Sequence, residues 1–407
     1  MNYPRTRREF LQLAGQGLGL LAYGAVAPSF LARSVMAGTP LPEKDRSILV
    51  LLQLAGGNDG LNTFVPWADD RYHRLRPRLA LAGADVLKID DHHGFHPSCE
   101  GMHRLFMDGK LSVIQNVGYP NPNRSHFRSM EIWETAAESD AYLPDGWIGR
   151  YFDNCCSGTA EPDPLALNIG NELPTAFLSA HPHARHTLQD GNRRSRGRPD
   201  GLLAALEAMP ASAGGNADFL RHVLMDSLVT ERRVLERIAN YRAQARYPQA
   251  PLGQALRNIA GLIASGLETR VYFVSHGGFD THANQADRHR QLLTVLSSSL
   301  QAFQADLEAH GLQDQVLTMT FSEFGRRPSE NASGGTDHGT AAPQFIIGSR
   351  LKGSLHGQAP DLKVRPNADF THSTDFRSVY ATVLQQWFGA DPLPVLGRPH
   401  PPVDFLT

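Results

Sequence analysis

Five short, unbroken apolar runs constrain this chain more than anything else in its sequence. They are SILVLLQLA (47–55), KLSVIQNV (110–117), RVYFVS (270–275), QVLTMTF (315–321) and PQFIIG (343–348), and glycine, proline or asparagine bounds each of them. Apolar runs without alternation read as strands covered on both faces. Amphipathic stretches lie between them. SHFRSMEIWETAAE (125–138) is one. ADFLRHVLMDSLVTERRVLERIANYRAQ (217–244) is another, with Leu220, Val223, Leu224, Leu228, Leu235 and Ile238 on one stripe. DRHRQLLTVLSSSLQAFQADLEAHG (287–311) carries Leu292, Leu296, Leu300, Phe303 and Leu307 in register and ends at Gly311, and TDFRSVYATVLQQWFG (374–389) opens on a Thr-Asp cap. Strands alternating with helices predict an α/β protein with a doubly wound, mostly parallel sheet and helices on both faces.

The first 37 residues read as an export signal. TRREFLQL (6–13) places Arg7 and Arg8 ahead of the apolar stretch LGLLAYGAVAPSFLA (18–32), and SVMA (34–37) ends in small residues. That order is the one a twin-arginine signal has, with cleavage after Ala37. Its expected partner is the twin-arginine translocase, its destination the periplasm or the extracellular space. Residues 38–407 then form one domain, a length common among large α/β enzymes. A formal net charge of −2 gives no support for a nucleic-acid or membrane-surface partner, and no later run has the ~20 apolar residues of a membrane span. Cys99, Cys155 and Cys156 allow at most one disulfide, and no C-x-x-C motif is present, which disfavours iron–sulfur and thiolate–zinc sites. The stretch HPHARHTLQDGNRRSRGRPDG (181–201) breaks the pattern with five arginines and reads as an exposed or mobile insert, either a solvated loop or a positive rim. The proline-rich end (392–402) reads as an extended tail.

Sites in open α/β sheets form beyond the carboxyl ends of the strands. The residues that follow each run are therefore the candidates. GGNDGLNT (56–63) supplies Asp59. GYPNPNRSHF (118–127) supplies Ser125, with Arg124, His126 and Arg128 around it. HGGFDTH (276–282) supplies Asp280 and His282. SEFGRRPSENASGGTDHGT (322–340) supplies Glu323, Arg326, Asp337 and His338. Imidazole and carboxylate donors suit zinc or manganese and, with more oxygen, calcium or magnesium. Asp59, Asp280, His282, Glu323, Asp337 and His338 are the expected ligands of one or two divalent ions, although Asp59, within Gly-Gly-Asn-Asp-Gly, taken alone reads as a turn-shaping residue. Ser125 has two readings, a nucleophile at a helix N-terminus or simply an N-cap. Asp280 and His282 likewise fit either metal ligation or the capping of a helix near Asn284. His126 fits a proton shuttle or a packing role. Arg124, Arg128 and Arg326 fit anion binding, because guanidinium presents a planar fork to oxyanions, although Arg326 also fits an ion pair with Glu323.

In order along the chain, LLQLAGGNDGLNTFVP, NRSHFRSMEIWETA, HGGFDTH, TFSEFGRRPSEN and GGTDHGTA, preceded by the paired arginines, resemble the exported domain of unknown function 1501 family. The resemblance covers nearly all of residues 38–407. That family is grouped with the alkaline-phosphatase-like superfamily, which also holds sulfatases, phosphodiesterases and phosphoglycerate mutases. The resemblance implies a doubly wound sheet, two metals and a nucleophile at a helix N-terminus, and so the hydrolysis of a phosphate or sulfate ester. By the same resemblance Asp59 matches the metal-binding aspartate after the first strand, Ser125 the nucleophile, and Asp280 with His282 the pair on the other metal. Glu323 stands where the superfamily has an Asp-His pair, and by the resemblance His338 supplies either that histidine or the last one of the set. This chain departs from the pattern. Asp280 and His282 are two residues apart rather than four, Ser322-Glu323 replaces Asp-His, and no Cys-x-Pro-x-Arg or Ser-x-Pro-x-Arg signature is present. Those departures leave room for an exported binding or assembly protein that keeps the fold without catalysis.

Overall fold

A computed structural model describes residues 46–156, 163–188, 216–365 and 367–407. The twin-arginine segment and residues 189–201 of the arginine-rich stretch lie outside the described residues.

The apolar runs become the middle of a nine-stranded sheet. Its strands, numbered along the chain, are β1 (Ile48–Ala55), β2 (Leu111–Gly118), β3 (Ala166–Ile169), β4 (Arg185–Leu188), β5 (Val271–Gly277), β6 (Val316–Phe321), β7 (Ala342–Ile347), β8 (Leu355–His356) and β9 (Thr374–Asp375). Their order across the sheet is β8-β2-β7-β6-β1-β5-β3-β4, with β9 added to β2. All pairs are parallel except those of β7, which runs antiparallel to both β2 and β6. The unbroken character of β1 has a direct cause. Ile48, Val50, Leu52 and Leu54 enter the core on one face, and Leu49 and Leu51 enter the core on the other.

Each face has its own helices. Helices α1 (Glu100–Met107), α5 (Pro251–Ala264) and α6 (Gln285–Ala309) cover the first, and α4 (Asn216–Asn240) packs beside α5. Helices α2 (His126–Thr135), α3 (Trp147–Cys155) and α7 (Phe376–Thr382) cover the second. Helix α6 buries Leu296, Leu300, Phe303 and Leu307 as its spacing predicts, and Gly311 closes it with φ of 68°. Asp375 caps α7 by accepting from Arg377 N at 2.9 Å.

Three expectations need correction. Residues 185–188 of the arginine-rich stretch form an edge strand rather than a mobile loop. Arg185 donates to the carbonyl of Phe177 at 2.7 Å, and His183 pairs with Asp153 at 2.8 Å. The stripe on α4 is also different: Leu228 and Val234 are buried whereas Leu224 and Leu235 are exposed. The proline-rich end contains a short helix, Pro392–Leu396, capped by Asp391 and stopped by Gly397 at φ of 78°. The three cysteines are not joined by a disulfide, and Cys99 is part of the core. No helix among the described residues is long and apolar enough to cross a membrane.

Beside β1 lies a buried polar knot. His289 Nε2 of α6 donates to Asn58 Oδ1 at 3.1 Å, and the His96 ring stands edge-on to it at 6.1 Å between centroids. Burial pushes both imidazoles down to about 4, against the opposing pull of Asp59. The unfolded chain, with histidines near 6.5, therefore binds more protons than the folded one between those values. The contribution is fully present above pH 6.5 and is lost as pH falls toward 4, by up to ~1.4 kcal/mol per pH unit for each histidine. Urea unfolding of the wild-type chain should show that slope, and His289→Gln should flatten it. An equal slope in the variant would show that His289 titrates as it does in the unfolded chain.

Candidate metal centre

The carboxyl edge of the sheet gathers chain from four places. β1 leaves it through Gly56 and Gly57, with φ of 118° and 79°, conformations that only glycine adopts easily. Gly56 lies so close to the loop after β5 that a Cβ there would sit 2.3 Å from Asp280 N. β2 leaves through residues 119–125 and turns into α2, whose first residue is His126. β5 leads to Asp280 and His282. β6 leads to Glu323 and then to a hairpin of Arg326–Glu330 and Thr336–His338 before the chain re-enters the sheet as β7.

Arg326 holds these loops together. Its side chain is fully buried. Nε donates to Gly57 O at 2.8 Å, Nη1 to Thr336 O at 2.7 Å, and Nη2 to Phe279 O at 3.0 Å, to Asp280 Oδ1 at 2.8 Å and to Gly56 O. Partial burial pushes the Asp280 carboxyl up, but hydrogen bonds from Arg326 and His338 and the charges of Arg326 and His282 outweigh it and hold it at about 2.

Around that carboxylate stand three imidazoles. His338 Nε2 and His282 Nε2 each lie 3.1 Å from Asp280 Oδ1, and they lie 2.9 Å from one another. His126 Nε2 lies 3.6 Å from Asp280 Oδ2. One donor atom from each of His126, Asp280 and His338 falls within 4.8 Å of the others, a spacing that lets them close on one ion. The Nε2 atoms of His282 and His338 approach one another closely, and a cation held by both is a chemistry that this donor set suits. The hydrogen bond with Glu323 raises the His126 pKa, whereas burial lowers that of His338.

The other expected residues stand apart from the cluster. Glu323, nearly fully buried, accepts from His126 Nδ1 at 2.8 Å and from Gly56 N at 2.8 Å. Asp337 Oδ1 lies 3.5 Å from His282 Nδ1 and accepts from Asn331 Nδ2 at 3.0 Å. Asp59 is buried in an ion pair with Arg76 at 2.6 Å and also accepts from Gln285. Burial raises its carboxyl, and the Arg76 charge and hydrogen bond turn that into a net lowering. Ser125 occupies the N-cap of α2, exposed, and its hydroxyl makes no capping hydrogen bond. Asn284 itself is the N-cap residue of α6, with φ of 47°, and neither Asp280 nor His282 caps that helix. Arg128 does not face the cluster's donors. Its guanidinium donates to the carbonyls of Glu138, Ser139 and Ala141, pairs with Glu131 at 2.8 Å and lies over the Tyr142 ring.

Sequence reasoning placed His126 near the chemistry without assigning it to the metal. The available signal was its position directly after the β2 exit, one residue past Ser125. Arg76 gave no signal, because it follows a short helix (Asp70–Leu75) and meets Asp59 only in the folded chain.

Gly56→Ala tests the close approach of the two loops. The added methyl meets Asp280 N, and the positive φ adds strain of ~1–3 kcal/mol. The variant should unfold at lower urea concentration and take up less metal, measured by denaturant titration and elemental analysis. Wild-type values for both would contradict the packing described.

A family model described as "Protein of unknown function (DUF1501)" matches residues 46–392. No curated protein matches the chain. Among solved structures the chain is similar to a protein in the alkaline phosphatase superfamily from Vibrio parahaemolyticus, at 11% identity, covering 88% of this chain and 71% of that one with a TM-score of 0.39. It is similar to the PsFucS1 sulfatase from Pseudoalteromonas sp., at 9% identity, 91% and 75% coverage and a TM-score of 0.35. It is also similar to the C-terminal periplasmic domain of EcEptC from Escherichia coli, solved as a complex with Zn, at 9% identity, 75% and 74% coverage and a TM-score of 0.35. With the family model spanning most of its length, the chain belongs to the DUF1501 family of proteins of unknown function.

Proposed function

We propose that the protein is a metal-dependent hydrolase of phosphate or sulfate esters, acting at the carboxyl edge of its sheet. The observation that carries this reading is the convergence of His126, Asp280 and His338, with His282 beside them. Three imidazoles and one carboxylate favour zinc or manganese over calcium or magnesium. When bound there, the ion supplies a Lewis acid that neutralises charge on the oxygens of the ester and of its attacker. Asp280 contributes a carboxylate that Arg326 holds well below the usual carboxylate range, so it is ionised at neutral pH. Ser125 stands beside His126 with an exposed hydroxyl, and the opening turn of α2 presents backbone N–H groups to an anion. In the proposed reaction the Ser125 oxygen bonds to phosphorus or sulfur as the ester bond breaks, and the alcohol leaves with a proton. Water then releases the inorganic anion and restores the serine.

One observation favours a second reading, a binding or assembly protein that keeps the metal without turnover. Two of the arginines expected to orient the anion are committed elsewhere, Arg326 to four carbonyls and Asp280, and Arg128 to three carbonyls and Glu131, and the third, the half-exposed Arg124, pairs with Asp369 at 3.3 Å. Under both readings residues 1–37 direct the chain to the twin-arginine translocase and out of the cytoplasm.

Elemental analysis of protein purified without chelators, followed by assays on p-nitrophenyl phosphate and p-nitrophenyl sulfate, separates the readings. The hydrolase reading expects about one equivalent of zinc or manganese per chain, its loss in Asp280→Asn, and turnover that falls by ~10²-fold or more in Ser125→Ala with the metal retained. Metal without turnover of any ester supports the binding protein. A folded chain that takes up no metal removes both. For export, Arg7→Lys with Arg8→Lys should leave the protein in the cytoplasm by fractionation, and normal export of that variant would end the twin-arginine assignment.

A further inference from the structure

Resting on the metal-centre reading, we propose that Glu323 is a positioning residue, which holds His126 by its outer nitrogen so that the inner one meets the ion. The three imidazoles share one arrangement. His126 Nδ1 faces Glu323 Oε1 at 2.8 Å, His338 Nδ1 faces Arg124 O at 2.9 Å, and His282 Nδ1 faces Asp337 Oδ1 at 3.5 Å. In each ring it is Nε2 that points at Asp280 or at another ring's Nε2. An acceptor on Nδ1 fixes the proton there and leaves the Nε2 lone pair for a metal.

Glu323 is the best built of the three acceptors. Its side chain is 1% exposed, against 46% for Asp337, and it reaches the ring from the side opposite Asp280. Oε1 is already shared by His126 and the Gly56 N–H, and Ser322 Oγ lies 3.4 Å from Oε2. Ser322 is itself fixed, donating to Leu54 O at 2.7 Å and accepting from Asn58 N at 2.9 Å. The carboxylate is therefore tied to the β1 exit and has little freedom to swing into the cluster. Its identity as a ligand, expected from its place after β6, gives way to a role one atom further out. Metal-bound histidines commonly depend on such partners, and losing one costs ~10–100-fold in affinity.

The test uses the full chain with cobalt(II) as the probe, following the visible absorption bands and competition with a chelator. Glu323→Ala should weaken cobalt binding ~10–100-fold while the band pattern, set by unchanged ligands, is retained. Glu323→Gln keeps an acceptor for the Nδ1 proton and should recover most of the affinity. Long-range ¹H–¹⁵N spectra of the metal-free protein at alkaline pH supply a readout independent of any ion. They should show His126 protonated on Nδ1 in the wild type and a tautomer mixture in Glu323→Ala. Wild-type affinity and tautomer in Glu323→Ala would overturn the role. A changed band pattern in Glu323→Gln would overturn it in favour of direct ligation. If Glu323→Ala does not fold by circular dichroism, the band pattern and affinity of Glu323→Gln decide alone. A wild-type chain that takes up no cobalt overturns the metal centre and this role together, whereas the other failures leave the metal centre standing.

Discussion

Everything at the rim of this sheet is arranged around one buried guanidinium. Arg326 connects the exits of β1 and β5 and the second strand of the hairpin through the carbonyls of Gly56, Gly57, Phe279 and Thr336, and it then holds the Asp280 carboxylate. A buried carbonyl left without a donor costs ~1–3 kcal/mol, so an arginine serving four of them outweighs what a single surface ion pair contributes. Its use is therefore architectural, although the chain also gains from its charge. Beside a fixed cation, Asp280 stays a carboxylate and can serve as the anionic member of a histidine-rich donor set.

The fold was legible because burial on both faces leaves a plain mark. In β1, alternate residues feed opposite cores, so no polar residue interrupts the run until Gln53. The short strands β3 and β4 left no such mark. ALNI and RHTL are brief and partly polar, and β4 lies at the sheet edge where only one neighbour covers it. The direction of β7 was hidden for a different reason. A strand covered on both faces looks the same whichever way it runs, and only the chain's return through the hairpin reveals the reversal.

Residue types at the candidate site were legible, and their distances from the centre were not. Spacing showed that Asp280, His282, Glu323, Asp337 and His338 would reach one edge. It could not show that His126 would point inward while Glu323 stood behind it, because that depends on which side of an imidazole each neighbour takes. Asp59 was the hardest case. It reads as a ligand from its place after β1, and it meets Arg76 through a contact that no local pattern announces. Arg128 misled in the opposite direction. It flanks Ser125 in sequence, but α2 turns it toward the carbonyls of 138–141.

The reversed strand also bears on how this rim can vary. A parallel β7 would have required a crossover of a dozen residues or more, carried over a face of the sheet to begin again at the far edge. Running backwards, β7 lets the chain leave after Phe321 and return at Ala342 on the same side, so the segment between is a single outward excursion. Its span is uncoupled from the thickness of the sheet and from the register of every strand. Its tip, around Asn331–Gly335, rests on the start of α6 and on His282, with Ser333 O and Gly334 O accepting from Asn284 N and Gln285 N and Asn331 donating to His282 O, so length changes there would act on His282 and His338 together while Glu323, at the root of the excursion, stays where it is. The centre thus has one adjustable wall and one fixed wall, built from consecutive parts of the same loop.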